Sequence, residues 1–597
     1  MKIYYLDENI LFRVSLEKYF SIVLVDSKQY EISSDKVKSV KFAQTHVLPA
    51  SGLSWSNFTF NLVPNRDTLL LVQFETTPTS SANDITIMVD NATVATLTLN
   101  TPDKIPSNFA NYPATSYCVD CYSVMIPRNH VKQGMEIIVS SDTTTGRVKP
   151  TIIMDTNLIF KSFPFYLFGA NPTNTLTCIP KTPAKDSQDL IFNTWPLSSV
   201  EFKEAPGFTW DRLVCPPIEN KTEAMVVSSK DDISNNDLDN VIAEIINEYR
   251  KTNGELKLNV MYDVPMLPLN SLGSVDLIDR IYVSNKLYIS GNFQSRSNYL
   301  NGLGFAFGIQ SFGAMFKAGK YPYPNGSYNG SSWGFNSQIN KFISPYVIPN
   351  DDNYDSCLTN PDYLHSNDIC FKKDYISNVL NDMYYPDYIS GMIQSGVNKM
   401  VQYDKTNKKF MSWDATLMKS VEIKPNDTNG GFLYLDDGLP MLVDVDVYTI
   451  VMVHNTAANS KCGGACSNIY PIIKSRGNLM RHIDPSDEDQ RDLVEEPSLR
   501  DLYAFCAESG CDFSLRATYA DGSIFLKLLQ KGMRDFDNPR GPIHQDYLNP
   551  LNPKSVTYFV ENIPADKVLT KVELLSTPYG YKKYTANPPV LLSKIIS

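Results

Sequence analysis

Residues 232–252 place six apolar side chains, Leu238, Val241, Ile242, Ile245, Ile246 and Tyr249, at helical spacing on one face. A helix with one apolar face must bury it against another layer. Ser234 or Asn235 can cap its start, and Gly254 can end it in the left-handed conformation. The strand-like run 256–262 follows directly. Helix then strand predicts an α/β unit in the middle of the chain.

On both sides of this unit the chain reads as β. Up to about residue 180, short runs rich in Val, Ile, Thr and Phe alternate with turn residues, as at 68–74 (TLLLVQF), 85–89, 92–99 and 135–140. That spacing predicts one or two β-sandwich modules. Residues 320–370, rich in Gly, Asn, Tyr and Pro, read as long loops. From about 430, β-type runs return at 443–453, 523–529 and 556–560. The acidic stretch 484–496 between them reads as a solvated surface. A length of 597 residues suits three such units, 1–180, 181–425 and 426–597. The expected class is a multidomain α+β protein.

Fifty-four Lys and Arg against 65 Asp and Glu give a net charge of −11. That balance argues against a nucleic-acid partner or adsorption to anionic lipid. No uncharged apolar run is long enough for a transmembrane helix. Asp7, Glu8, Arg13, Glu17 and Lys18 break up the N-terminal apolar residues, so no signal peptide is expected. Synthesis would then be intracellular, with the product held in a virion or an inclusion.

Eight of the ten cysteines lie in close pairs: Cys118 and Cys121, Cys357 and Cys370, Cys462 and Cys466, Cys506 and Cys511. Local disulfides are one reading and free thiols a second. A zinc site built on Cys118 and Cys121 with two further cysteines is another, although a second CxxC is missing. Asn57, Asn91, Asn220, Asn325, Asn329 and Asn426 each start an Asn-x-Ser/Thr triplet, about as many as chance provides in a chain so rich in these residues.

Several segments, in shared order, resemble the StcE/TagA-type zinc metalloproteases that degrade mucin-like glycoproteins. They are VKFAQ at 40–44 with Pro49, RDTLLLV at 66–72, SVMIP at 123–127, SWGFN at 332–336 with KFI at 341–343, SCL at 356–358 and FMSWD at 410–414. The resemblance covers roughly residues 35–420. It implies a zincin-like central domain between the two β regions. In that family, an HExGHxxGxxH helix and turn holds the zinc, and its Glu is the general base for the metal-bound water. The segment in register here is 301–311, NGLGFAFGIQS. Its glycines Gly304 and Gly308 match, but Asn301 and Phe305 stand at the first two His positions, Gly302 at the Glu and Ser311 at the third ligand. Losing every ligand removes the metal, the Lewis acid and the activated water together. No two of the six His have i, i+4 spacing, so no zinc helix is found elsewhere. GMIQSG at 391–396 resembles the Met-containing turn under the family's zinc, with Met392 expected as a core residue.

There is no P-loop. No cofactor is expected. Tyr321, Tyr323, Tyr328 and Trp333 gather in one loop, which in the resembling family borders the substrate groove. Such aromatics suit interfaces and sugar stacking, or pack on their own domain. The sequence therefore leads to a catalytically inactive metalloprotease homologue that self-associates as a component of a particle, virion or protein lattice. One alternative is a glycoprotein- or mucin-binding adhesin that uses the former groove. A second is a metalloprotease with a relocated metal site.

Overall fold

The structure, a computed structural model, describes residues 36–275, 281–284, 287–290, 307, 332–344, 387–423, 435–495 and 505–596, apart from short breaks at 56, 80–82, 110–115, 142–143, 176–184, 507–508, 536–537 and 539. It is β-rich and multidomain, with four helices among the described residues. None is long and apolar enough to cross a membrane.

The run Thr68–Phe74 forms a strand buried over its first five residues. It pairs antiparallel with Val37–Ala43 and with Tyr122–Ile126. A second antiparallel sheet runs in the order Thr144–Val148, Met135–Ser141, Asp84–Val89, Ala92–Thr98. Alternate residues of both sheets, including Phe42, Leu70, Val72, Ile85, Ile87 and Ile137, meet in one core. This is the packing of a β-sandwich.

The central sheet is mostly parallel. Asn157–Ser162 and Phe165–Leu167 keep one register against Val260–Pro268, with Ser162 opposite Asp263 and Phe165 opposite Met266. They are one strand interrupted at Pro164, which has no N–H for the ladder. On the other side lie Ser199–Glu204 and Phe208–Trp210, also parallel, with a one-residue slip between them. Gly207 occupies the slip at φ +71°, where a Cβ would come 2.3 Å from the Pro164 carbonyl oxygen. Leu287–Ser290 adds a further parallel strand to Val260–Pro268.

Helix α1 spans Lys185–Thr194 and α2 spans Asn235–Thr252. The Ser234 hydroxyl caps α2 by accepting from the Asp237 N–H at 3.2 Å, and Gly254 follows at φ +62°. Both caps are those predicted. The apolar face of α2 packs on Tyr262, Val264 and Met266 of the sheet and also on Val451, Val453, Tyr558 and Val560 of the C-terminal region. Each fully buried aliphatic side chain contributes about 1.5–3 kcal/mol of transfer free energy, which holds α2 as a middle layer.

The C-terminal region is a second pair of sheets. Leu442–Asn455 pairs with Val556–Pro564 over nine residues. The facing sheet runs Ile524–Leu528, Phe513–Tyr519, Leu569–Ser576, Val590–Ile595. Ile450, Met452, Leu515, Phe559, Val572 and Leu574 fill the space between. Helix α3 is Asp387–Asn398, and α4, Glu488–Glu495, lies in the acidic stretch.

Candidate functional site

Asn301, Gly302, Phe305 and Ser311 lie outside the described residues, as do Tyr321, Tyr323 and Tyr328. Phe307 is the one residue of 301–311 that the structure describes. Its ring stands edge-on to buried Trp195 with centroids 5.3 Å apart. A Cβ on Gly396 of α3 would come 2.7 Å from the same ring. Phe160 continues this apolar layer onto the central sheet, with its ring 6.2 Å from Trp195 and stacked on Phe202 at 5.1 Å.

GMIQSG at 391–396 is a stretch of helix α3 rather than a turn. Met392 is half-buried, not a core residue, because the buried face of α3 carries Ile389, Ile393 and Val397. Gly391 lets the helix approach the N-terminal sandwich, since a Cβ there would lie 2.9 Å from the Phe58 ring. Gln394 locks the contact: its Oε1 accepts from the Asn61 N–H at 2.9 Å and its Nε2 donates to the Asn61 carbonyl at 2.8 Å.

Asp387, at the start of α3, accepts from the Ser332 N–H at 3.0 Å and so positions the next predicted residue, Trp333. The Trp333 ring is half-buried, 5.4 Å from Tyr117, which itself stacks on Phe342 at 4.8 Å. The Trp333 carbonyl accepts from the Val47 N–H at 2.8 Å. Trp333 thus packs on the N-terminal sandwich of its own chain.

Three buried polar side chains stand apart from the residues singled out for a site in the sequence. Asp263 is 1% exposed, and neither carboxylate oxygen has a partner among the described residues. Its neighbours Tyr262 and Val264 face α2, so by strand alternation Asp263 faces the other side of the sheet. Ser162, directly opposite in the ladder, has a buried Oγ that is also without a partner. Burial pushes the Asp263 carboxyl well above its ordinary range. The available signal was an acidic residue inside an otherwise apolar strand. Arg66 is the third. Its guanidinium donates to the carbonyls of Trp195 at 3.0 Å, Leu197 at 3.1 Å and Asn193 at 3.3 Å. Burial lowers its pKa to about 9, so it stays charged at neutral pH.

Among the described residues, no donor set fits a zinc ion. Among the described residues, the one group of three ligand-type side chains within reach of a common ion is Cys118, Asp120 and Cys121. Its two sulfurs are joined in a disulfide. Cys462–Cys466 and Cys506–Cys511 are disulfides as well, while Cys357 and Cys370 fall outside the described residues. His46 stands edge-on to Phe60, His454 shares a 3.3 Å hydrogen bond with Ser467, and His482 lies against Phe525. Burial lowers both His454 and His482 to about 4.

The family description Peptidase M66 matches residues 112–398. Dictomallein-1 of Dictyostelium discoideum is 31% identical, over 93% of this chain and 95% of that protein. The chain belongs to the M66 peptidase family. Dictomallein-2 of the same organism is 31% identical over 94% of the chain, and dictomallein of Burkholderia mallei is 29% identical over 94% of the chain and 84% of its own length. The M66 match spans the central parallel sheet, α1, α2 and α3, and includes 301–311. A metalloprotease-like family is therefore established for this chain, whose sequence lacks the paired His of a zinc helix.

Proposed function

We propose that this chain is a non-catalytic M66 member that acts as a structural, self-assembling protein. The observation that carries the first half is the composition of 301–311. Asn301, Gly302, Phe305 and Ser311 supply no zinc ligand set and no carboxylate to act as general base. The apolar seat of Phe307 between Trp195 and Gly396 supports a segment retained for packing.

Self-association is supported by three aliphatic side chains at one end of the C-terminal sheet: Ile524 is 62% exposed, Val568 67% and Ile595 79%. Thr518 pairs with Ile524 and with Lys571, and Lys571 pairs with Ile595. The Ala520 N–H donates to the Val568 carbonyl beside them. Apolar side chains gathered at a sheet end suit contact with a second copy of the chain. A particle, virion or protein lattice is the kind of assembly this would serve.

The test combines zinc analysis, cleavage of a mucin-type glycoprotein and light scattering on one purified sample. No stoichiometric zinc, no cleavage and a mass of several chains would support the proposal. One zinc per chain with cleavage would overturn the non-catalytic reading. A monomer that binds mucin would overturn assembly in favour of an adhesin.

A further inference from the structure

Three Asn-x-Thr triplets fall on described residues: Asn57-Phe58-Thr59, Asn91-Ala92-Thr93 and Asn220-Lys221-Thr222. In each, both the asparagine and the threonine are exposed. Among the described residues, eight other asparagines are buried, Asn61, Asn253, Asn478 and Asn562 among them, and none of the eight begins such a triplet. The number of triplets is near chance, so the count carries nothing. Their confinement to exposed positions carries the argument, because a glycan cannot be attached to an amide that the core needs.

The local backbone agrees. Asp90 and Asn91 form the two-residue turn between Asp84–Val89 and Ala92–Thr98, with φ of 51° and 66°. Asn220 sits at φ 55° in a turn where the Thr222 hydroxyl accepts from the Ile218 N–H at 3.1 Å. Asn57 lies in the turn joining Leu53–Trp55 to Phe58–Phe60. All three are turn positions where a large polar adduct displaces no packed side chain.

The disulfides are an independent observation. Cys118–Cys121, Cys462–Cys466 and Cys506–Cys511 are bonded, and Cys466, Cys506 and Cys511 are fully buried. Structural disulfides form and persist where thiols are oxidised. In cells with a secretory pathway, that is also the environment in which asparagine-linked sugars are added.

We infer that this chain matures in an oxidising secretory compartment and carries N-linked glycans at Asn57, Asn91 and Asn220. The sugar donor is a lipid pyrophosphate-linked oligosaccharide. The asparagine amide nitrogen attacks the anomeric carbon and a C–N bond forms. The C–O bond to pyrophosphate breaks, the lipid pyrophosphate leaves with the electron pair, and the amide gives up one proton. Each cysteine pair passes two electrons and two protons to a disulfide-bonded oxidoreductase, which is reduced to its dithiol. This departs from the intracellular synthesis expected from the charged N-terminal residues.

The experiment uses the full chain purified from the cells that make it. Peptide mapping before and after peptide N-glycosidase in heavy-oxygen water should show Asn57, Asn91 and Asn220 converted to labelled aspartate. The six paired cysteines should resist alkylation until they are reduced. Bare asparagine at all three positions, or cysteines alkylated without reduction, would overturn the inference. Thr93→Ala should remove one glycan step on a gel while Thr93→Ser keeps it. Both variants alter one exposed side chain, so equal mobility of the two would count against Asn91 whether or not either is destabilised.

Discussion

Gln394 and Asn61 lie 333 positions apart and exchange two hydrogen bonds, side chain to backbone in both directions. Both residues are buried, so no water can replace either bond. The pair joins helix α3 to the N-terminal sandwich. Gln394→Ala would orphan a buried N–H and a buried carbonyl, at about 1–3 kcal/mol for each unsatisfied group. The expected loss is about 2–4 kcal/mol in urea-induced unfolding at neutral pH. A loss within about 0.5 kcal/mol, as for an exposed substitution, would show that the clamp is not part of the cooperative fold.

Asp263 gives the stability of the chain a pH dependence of known sign. Its folded-state pKa is raised well above 3.8 by burial alone. Its contribution is therefore fully present below the unfolded value and is lost as pH rises toward the folded one, by about 1.4 kcal/mol per pH unit. His454 and His482, lowered from 6.5 to about 4, act oppositely and lose stability as pH falls between those values. Asp263→Asn isolates the first effect. The variant should be more stable than the parent at neutral pH, and the difference should shrink as pH falls toward the ordinary carboxylate range. Parallel stability curves for the two proteins from pH 4 to 8 would contradict a buried, unpartnered carboxyl.

Asp263 and helix α2 mark what the sequence could not and could reveal. Helix α2 was legible with both its caps because six apolar residues at one period have no other reading, and Ser234 and Gly254 bracket them. The strands 68–74 and 135–140 were legible from their alternation and their apolar runs. Asp263 was not, because sequence does not show which strand is covered on both faces. Trp333 could equally have stacked on a sugar; only the fold brings it to Tyr117. The matches at Gly391 and Gly396 suggested a turn, whereas both serve close approach within a helix, to Phe58 and to Phe307. The reading of 301–311 as a motif without its ligands rests on a fixed local spacing, and its four ligand and base positions lie outside the described residues.

Gly207 is required by its backbone and by the space around it. At φ +71°, a side chain would be strained whatever the room available, and its Cβ would lie 2.3 Å from the Pro164 carbonyl oxygen. The clash is with backbone at the interruption of the central strand, where the Phe208 N–H donates to that same oxygen at 2.9 Å. Gly207→Ala should cost more than the ~1 kcal/mol of an ordinary glycine replacement, on the order of 2–4 kcal/mol, because the ladder must shift. Thermal unfolding of the full chain measures it, and an unchanged midpoint would show that the one-residue slip is placed elsewhere.

Arg66 links the N-terminal sandwich to the central domain through a cation held by carbonyl groups. Its partners, Asn193, Trp195 and Leu197, span the end of α1 and the turn after it, and the Phe192 ring lies 4.4 Å from the guanidinium. The last carbonyls of a helix have no partner within it, and a cation there also offsets the negative end of the helix dipole. Arg66→Met keeps much of the volume but leaves those carbonyls without donors, so a loss of about 3–5 kcal/mol is expected. Arg66→Lys keeps the charge, but a single ammonium on a flexible stem cannot reach three carbonyls spread over five residues as a planar fork does. It should recover only part of the loss. Urea unfolding of the three proteins gives the order Arg, Lys, Met. Full recovery by lysine would mean that charge at the helix end, rather than the spread of donors, holds the two domains together.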